Sequence, residues 1–147
     1  MTPVLERFHS VVASGAGRSL PFRDPHSMLR ATSERCGAAV IVRVGGEVDA
    51  CNEDAWSNLL IKMAAAAVAP GPFVVDVGNV GFMGCAAFVV LAHEARRCRR
   101  RGVNMCLVTN QPIVARVVAA GGLRPLLSVH PTVEAALSAS NAEQFAR

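Results

Sequence analysis

The sequence has no tyrosine and a single lysine, Lys62, and aromatic residues make up only 5% of its 147 residues. Proteins that bind single-stranded nucleic acid stack the bases on aromatic side chains, and this chain has few of them. The net charge of +4 comes almost entirely from arginine, and five arginines crowd positions 96–101. Because cations stabilise the C-terminal end of a helix, we interpret that run as a helix end and expect no direct binding to nucleic acid.

Long apolar runs are also missing. A membrane-spanning helix needs about 20 apolar residues, and the longest candidate, residues 63–70, is mostly alanine and too short. The N-terminus carries Glu6 and Arg7 where a signal peptide needs an unbroken apolar core. We therefore expect a cytoplasmic protein that does not enter a membrane.

The five cysteines are an odd number, and no two of them form a C-x-x-C pair. This pattern indicates neither a disulfide framework nor a zinc ribbon. The segment HEARR begins like the zinc motif H-E-x-x-H, but Arg97 stands where the second histidine is needed. The sequence thus predicts reduced thiols, no metal site and no cofactor.

Strand and helix patterns alternate from residue 28 onward, which predicts an α/β fold with a partly parallel sheet covered by helices. Residues 1–26 show no sustained periodicity, so we interpret them as a mobile leader, and residues 141–147 as a C-terminal tail. Strands are predicted at 28–35, 38–49, 72–77, 103–109 and 126–130, and helices at 52–69, from about 85 to 101, at 111–122 and at 131–140.

The first predicted helix has a well-marked beginning. Asn52 is a favourable N-cap residue, and Glu53 and Asp54 suit the positive end of the helix dipole. Trp56 and Leu60 then fall on one apolar face.

Three segments, VRVGGEVDA, FVVDVGNVGFMGCAAFVVL and VVAAGGLRPLLSVHPTVEAAL, resemble in order and spacing the STAS domains of bacterial anti-anti-sigma factors. The resemblance covers about residues 28–138 and implies a STAS domain at 27–140. It implies a four- to five-stranded mixed β-sheet with four α-helices packed mainly on one side. The matched family marks are Gly46, Glu47, Asp49, Asp76 and the pair Gly122-Leu123.

Members of this family bind an anti-sigma factor, a kinase of the histidine-kinase-like ATPase type, and so free a sigma factor. The kinase phosphorylates a serine in a turn that typically has the sequence Asp-Ser-Ser-Gly. The corresponding stretch here is Gly84-Cys85-Ala86-Ala87, and Ala86, at the phosphoacceptor position, has no hydroxyl. The resemblance therefore implies an anti-sigma factor antagonist, not an enzyme, that cannot take the phosphate whose charge would oppose docking. Such a chain is either permanently competent, controlled by another signal, or without the partner-switching role.

The resemblance also implies where the partner binds and that the protein is a monomer or a weak homodimer. The docking surface is expected at the loop after the second strand, the turn before the second helix and the exposed side of that helix. The residues implied are Asp49, Cys51, Phe82, Met83, Gly84, Cys85, Ala86 and Ala87.

Two interpretations of Cys85 remain open. It is either a small residue that replaces the serine of the family in a tight turn, or a redox switch, alone or bonded to Cys51. A helix N-terminus favours the thiolate that redox chemistry needs. A catalytic thiol is disfavoured, because it needs a nearby base and His93 lies about two helical turns further along. A third hypothesis is a small-ligand-sensing domain of the same fold.

Overall fold

A computed structural model describes residues 20–146 of the chain. In this part of the protein six strands form one sheet in chain order, and four helices pack on it. The strands are β1 (Leu20–Arg23), β2 (Arg30–Cys36), β3 (Ala39–Val48), β4 (Phe73–Met83), β5 (Met105–Val108) and β6 (Ser128–His130). The helices are α1 (Glu53–Ala64), α2 (Cys85–Arg100), α3 (Pro112–Ala120) and α4 (Val133–Ala146).

The sheet is mixed, as predicted. Strands β1, β2 and β3 pair antiparallel through short turns, whereas β3, β4, β5 and β6 are parallel neighbours. Parallel neighbours need a crossover connection, and α1, α2 and α3 supply one after β3, β4 and β5 respectively. The carboxyl ends of the four parallel strands therefore meet at one edge of the sheet.

Each face of the sheet has its own apolar core, because side chains along a strand alternate between the two faces. Val42 and Val75 face the larger core, which helices α1 to α3 cover and which contains the fully buried Trp56. Ile41 and Val74 face a smaller core that α4 covers. Three helices on one face and one on the other confirm the prediction that the helices pack mainly on one side.

Within residues 20–146 the sheet has six strands rather than the predicted four to five. Strand β1 lies within the predicted leader, residues 1–26, and pairs with Arg30 to Ser33 of β2. Four residues are too few to show a period, and Pro21 lacks the N–H that a central strand needs, so only an edge strand suits this segment. The folded region thus includes residues 20–26, and residues 1–19 of the predicted leader lie outside the described residues.

The C-terminal boundary also differs from the prediction. Helix α4 continues to Ala146, so residues 141–146 are helical instead of forming a separate tail. These residues include alanine, glutamate and glutamine, which favour helix, and neither glycine nor proline interrupts them. Within residues 20–146 no helix has both the length and the apolar character to cross a membrane.

A glycine, Gly46, shapes the end of β3. Gly46 has a φ of +100°, and a β-carbon there would stand 2.3 Å from the carbonyl oxygen of Met28. Only glycine adopts this backbone conformation without strain and allows so close an approach of the chain before β2. The pairing of β3 with β4 shifts register on both sides of this segment.

Candidate functional site

The loop after β3 and the turn after β4 lie side by side. Val48 and Met83 are paired at the ends of these parallel strands, so the residues that follow them emerge together. The N–H of Gly84 donates a hydrogen bond of 2.9 Å to the carbonyl oxygen of Val48. The structure therefore brings together the two sequence segments in which we predicted the site, Asp49 to Asn52 and Phe82 to Ala87.

Asn52 fixes the loop from within. Its side chain is buried, and its Oδ1 accepts a hydrogen bond of 2.9 Å from the N–H of Asp49. Its Nδ2 donates to the carbonyl oxygen of Glu47 at 2.8 Å and to Oγ of Ser27 at 3.0 Å. The predicted N-cap role is wrong for the side chain, which makes no hydrogen bond to the helix N-terminus. The residue ties the loop to β3 and to the β1–β2 turn instead.

The β1–β2 turn supports this arrangement through Asp24. The hydroxyl of Ser27 donates to Oδ2 of Asp24 at 2.5 Å, and the N–H of His26 donates to Oδ1 at 3.2 Å. The hydrogen bond from Ser27, and then that from His26, lowers the pKa of the Asp24 carboxyl below its ordinary value. A chain of hydrogen bonds thus runs from Asp24 through Ser27 to Asn52 and the loop.

Asp49 uses its carboxylate inside the loop. Its Oδ1 accepts a hydrogen bond of 2.9 Å from the N–H of Cys51, which is the geometry of an Asx turn. Asp49 itself is half-buried, and Cys51 stands exposed at the tip. Of these two predicted contact residues, Cys51 is exposed and Asp49 is exposed only in part.

The turn before α2 presents an apolar surface. The side chain of Phe82 is 54% exposed, Cys85 is exposed, and Met83, Gly84 and Ala86 are half-buried. Gly84, Cys85 and Ala86 have small side chains, so another molecule can approach the backbone at the start of α2 closely.

Ala87 is the exception among the predicted contact residues. It is only 1% exposed, and its carbonyl oxygen accepts a hydrogen bond of 3.1 Å from Nε1 of the buried Trp56. This side of α2 turns toward α1, so Ala87 belongs to the core and not to the exposed surface. The hydrogen bond fixes the first turn of α2 against the preceding helix.

Two exposed apolar residues that we did not predict extend this surface. Val89 is 56% exposed and lies one helical turn from Cys85 on the same face of α2. Ile113 is 58% exposed and, with Phe82 and Met83, lines a cavity of about 140 Å³. The sequence could have indicated that both are exposed. Val89 lies outside the apolar stripe that α2 buries, and Ile113 lies in the first turn of α3.

Gln111 fastens the start of α3 beside the turn. Its Nε2 donates to the carbonyl oxygen of Val80 at 2.9 Å, and to that of Gly78 at 3.4 Å. The backbone carbonyls at this irregular end of β4 therefore have a side-chain partner. This contact holds Ile113 next to the strand that carries Phe82.

The five cysteines divide by exposure. Cys51 and Cys85 are exposed, and both lie in the surface described above, whereas Cys36, Cys98 and Cys106 are buried. Burial, followed by the nearby charge of Glu94, raises the pKa of the Cys98 thiol to about 11. Among residues 20–146 no group of three or more histidine, cysteine, aspartate or glutamate side chains could hold a metal ion.

Members of the basic run at the end of α2 have structural roles. Arg101 donates hydrogen bonds to the carbonyl oxygen of Ala64, the last residue of α1, at 3.1 Å and to that of Ala67, just after it, at 2.7 Å. Arg97 forms an ion pair of 3.5 Å with the buried Glu94. These contacts agree with the interpretation of the run as a charged helix end.

Comparison with known proteins gives a consistent result. The family model of the STAS domain matches residues 30–136. The chain is 52% identical over 119 residues to Rv2638, a candidate anti-anti-sigma factor of Mycobacterium tuberculosis strain H37Rv, covering 81% of this chain and 80% of that protein.

A second relative is the anti-sigma-F factor antagonist RsfA of the same strain, 52% identical over 112 residues, 76% of this chain and 88% of that protein. Among solved structures, an anti-sigma factor antagonist from Mycobacterium paratuberculosis has a TM-score of 0.67 at 24% identity, covering 80% of this chain and 97% of the other. This structural likeness concerns the fold.

Proposed function

The chain belongs to the STAS domain family, and on this premise we propose that it is an anti-sigma factor antagonist that acts in the cytoplasm. Its partner is an anti-sigma factor of the histidine-kinase-like ATPase type, whose capture releases a sigma factor for transcription. The proposal is supported by the 52% identity to two relatives, one of them named an anti-sigma-F factor antagonist. It makes the chain a protein-binding regulator and not an enzyme.

The observation that carries the proposal is the apolar surface formed by the loop after β3 and the turn after β4. We define this docking surface as Asp49, Cys51, Phe82 to Ala86, Val89 and Ile113. A phenylalanine that is 54% exposed beside a turn of small residues is typical of an interface centre, where aromatic anchors enter a partner. The hydrogen bonds of Asn52 and Trp56 hold its two halves in place before binding, which lowers the entropic cost of association.

We further propose that this antagonist is not switched off by phosphorylation of its turn. Ala86 stands at the position where the family carries its phosphoacceptor, and alanine has no hydroxyl. A phosphate would bring about 1.5 to 2 negative charges onto the apolar docking surface. Without an acceptor at this position, the docking surface stays competent in the presence of the kinase and ATP.

A binding titration with the purified cognate anti-sigma factor tests this function. Phe82→Ser should weaken binding by about tenfold, because a half-exposed aromatic anchor is lost. Val68→Ser is the matched control, since Val68 is also 54% exposed but lies after α1, outside the docking surface. Equal losses in the two variants would refute the location of the docking surface.

Charge at the turn gives a second test. Cys85→Ser should bind nearly like the wild type, whereas Cys85→Asp and Ala86→Asp should each weaken binding by about tenfold or more, because the carboxylate is desolvated without a partner. The fold should tolerate both aspartates, since the first turn of a helix favours an acid. Wild-type affinity in both aspartate variants would show that the partner binds elsewhere.

One observation favours a redox function beside this one. Both exposed cysteines of the described chain lie in the docking surface, on the two adjacent segments that Gly84 and Val48 join. We propose that peroxide oxidises the Cys85 thiol to a sulfenic acid, which adds a polar oxygen to the surface, with loss of water. Where the Cys51 thiol then attacks that sulfur, a second water leaves and a disulfide joins the two segments, and either product weakens partner binding. Peroxide should then reduce affinity in the wild type but not in Cys85→Ser, and an equal response of both would contradict the redox function.

A further inference from the structure

A row of arginines lies on the part of the sheet that α4 leaves open. Arg23 of β1 is directly opposite Arg30 of β2, and Arg30 is opposite Gly45 of β3. Arg43 lies two residues before Gly45 and therefore points to the same face of the sheet. That is the face of the smaller core, where α4 packs against β4, β5 and β6. Three arginines thus share a surface that none of the helices within residues 20–146 covers.

The charges in this row are not balanced. Like charges directly opposite each other destabilise a sheet, and neither Arg23 nor Arg30 forms an ion pair with another residue in the described chain. Among the residues that the structure describes, Arg30 donates a long hydrogen bond of 3.5 Å to the carbonyl oxygen of Met28. Arg43 is paired with Glu34 at 2.9 Å. Arg23 and Arg30 therefore bring two positive charges that no carboxylate of the described residues pairs, and an anion would neutralise them.

The arginines surround a cavity of about 590 Å³, which is within the usual size range of small-molecule sites. No carboxylate is among the described residues that line it. Gly45 forms part of its wall, and a β-carbon there would stand 2.8 Å from Cζ of Arg30. The missing side chain lets the guanidinium of Arg30 lie against the backbone of β3 beside the cavity.

A second cavity of about 330 Å³ adjoins the first and shares Arg43 and Asn79 with it. Its lining is polar and includes Thr109, Asn110 and Thr132, which offer hydroxyl and amide groups. It also includes Asp76 and Glu134, whose carboxylates accept hydrogen bonds from hydroxyls and keep an anionic group on the side of the arginine row. Such groups suit a molecule rich in hydroxyls, whereas the arginine row suits its anionic end.

We propose that these joined cavities bind a small phosphorylated molecule that also carries hydroxyl groups. The guanidinium groups of Arg23, Arg30 and Arg43 bind the phosphate, since their planar forks match two of its oxygens at a time. The hydroxyl-bearing part lies toward Asn79 and the polar cavity. The site shares no residue with the docking surface, so its occupancy is a property separate from partner binding.

Calorimetric titration of the full chain at low salt tests this proposal with three probes: ribose 5-phosphate, ribose and inorganic phosphate. Ribose 5-phosphate should bind, inorganic phosphate should bind at least several-fold more weakly, and ribose should not bind. Arg23→Gln and Arg30→Gln should each weaken the binding of ribose 5-phosphate by about tenfold, as expected for loss of a charge-assisted hydrogen bond. Added salt should weaken it as well.

Arg116→Gln is the matched control, because it removes the same charge from an exposed position on α3, on the other face of the sheet. Its affinity should equal that of the wild type, and thermal melting of every variant checks that the fold is kept. The proposal is overturned if ribose 5-phosphate does not bind, or if the control loses as much affinity as Arg23→Gln and Arg30→Gln. Equal affinities for ribose 5-phosphate and inorganic phosphate would overturn the assignment of the polar cavity.

Discussion

Replacing Asn52 by alanine tests how the protein holds one half of its docking surface. The side chain is 5% exposed and makes three hydrogen bonds, one from the N–H of Asp49 and one each to the carbonyl oxygen of Glu47 and to Ser27. Each such hydrogen bond contributes about 1 kcal/mol net to stability. Glu47 and Asp49 are partly accessible to water, which can replace some of the lost interactions, so we expect a loss of about 2 to 3 kcal/mol.

Urea denaturation followed by far-ultraviolet circular dichroism measures this loss as a change in the free energy of unfolding. Asn58→Ala is the matched control, because Asn58 is exposed on α1 and none of the hydrogen bonds described here involves it. The control should be neutral or slightly stabilising, since alanine favours helix. A loss below about 1 kcal/mol for Asn52→Ala, or one no larger than that of Asn58→Ala, would refute this account of the loop.

Other residues make further predictions. Trp56→Phe should lower the free energy of unfolding by about 2 kcal/mol, because the carbonyl oxygen of Ala87 loses its buried partner. Gly46→Ala should strongly destabilise the protein or prevent folding. Gly81→Ala should be tolerated in a thermal melt, because its new β-carbon would lie 3.9 Å from the carbonyl oxygen of Gly46, an ordinary van der Waals contact. Cys98 predicts a pH dependence: its folded-state pKa of about 11 lies above the ordinary 9.0, so its contribution is complete below pH 9.0 and is lost as the pH rises toward 11. Stability curves between these pH values should therefore be flatter in Cys98→Ala.

Each of these predictions has a result that contradicts it. Equal stability of wild type and Trp56→Phe would show that the indole N–H has no energetic role, and equal melting of the two glycine variants would refute the strain at Gly46. The composition simplifies the measurement between pH 9.0 and 11, because the chain has no tyrosine and only one lysine whose titration would add to the pH dependence. Identical pH profiles for wild type and Cys98→Ala would refute the assigned shift.

Most of the fold could be predicted from the sequence, because its longer elements have strong periodicity. The alternating valines of β3 predicted a strand, and the apolar stripe of α2 predicted a helix. Both elements lie close to the predicted positions. Strand β1 could not be found this way. Its four residues form a strand only because β2 offers a free edge, and that is a tertiary effect without a local pattern.

Strand β4 was predicted to end at Val77 but continues to Met83. Gly78 and Gly81 weaken the local strand pattern, and the extension depends on parallel pairing with the irregular end of β3. The sequence therefore placed Phe82 in a turn, whereas the structure places it in the last paired residues of a strand. The length of β4 therefore depends on pairing with β3 residues that lie more than 30 positions earlier in the chain.

The candidate site was predicted in part, and the resemblance to a family supplied most of it. The two segments at Asp49 and Cys85 do meet, but no sequence pattern indicated that Ala87 faces Trp56. Asn52 was assigned to a helix cap because its residue type and position are typical of one. Its actual role depends on Ser27, which is 25 positions away and could not be identified from local spacing.

The most direct test of the central claim uses purified chain, its cognate anti-sigma factor and the sigma factor which that protein holds. The chain should displace the sigma factor from the complex, as measured by size-exclusion chromatography, and should do so equally after incubation with the anti-sigma factor and ATP. Phe82→Ser should displace less and Val68→Ser as much as the wild type. Failure of the wild-type chain to bind the anti-sigma factors encoded in its own genome, or loss of displacement on incubation with ATP, would contradict the account.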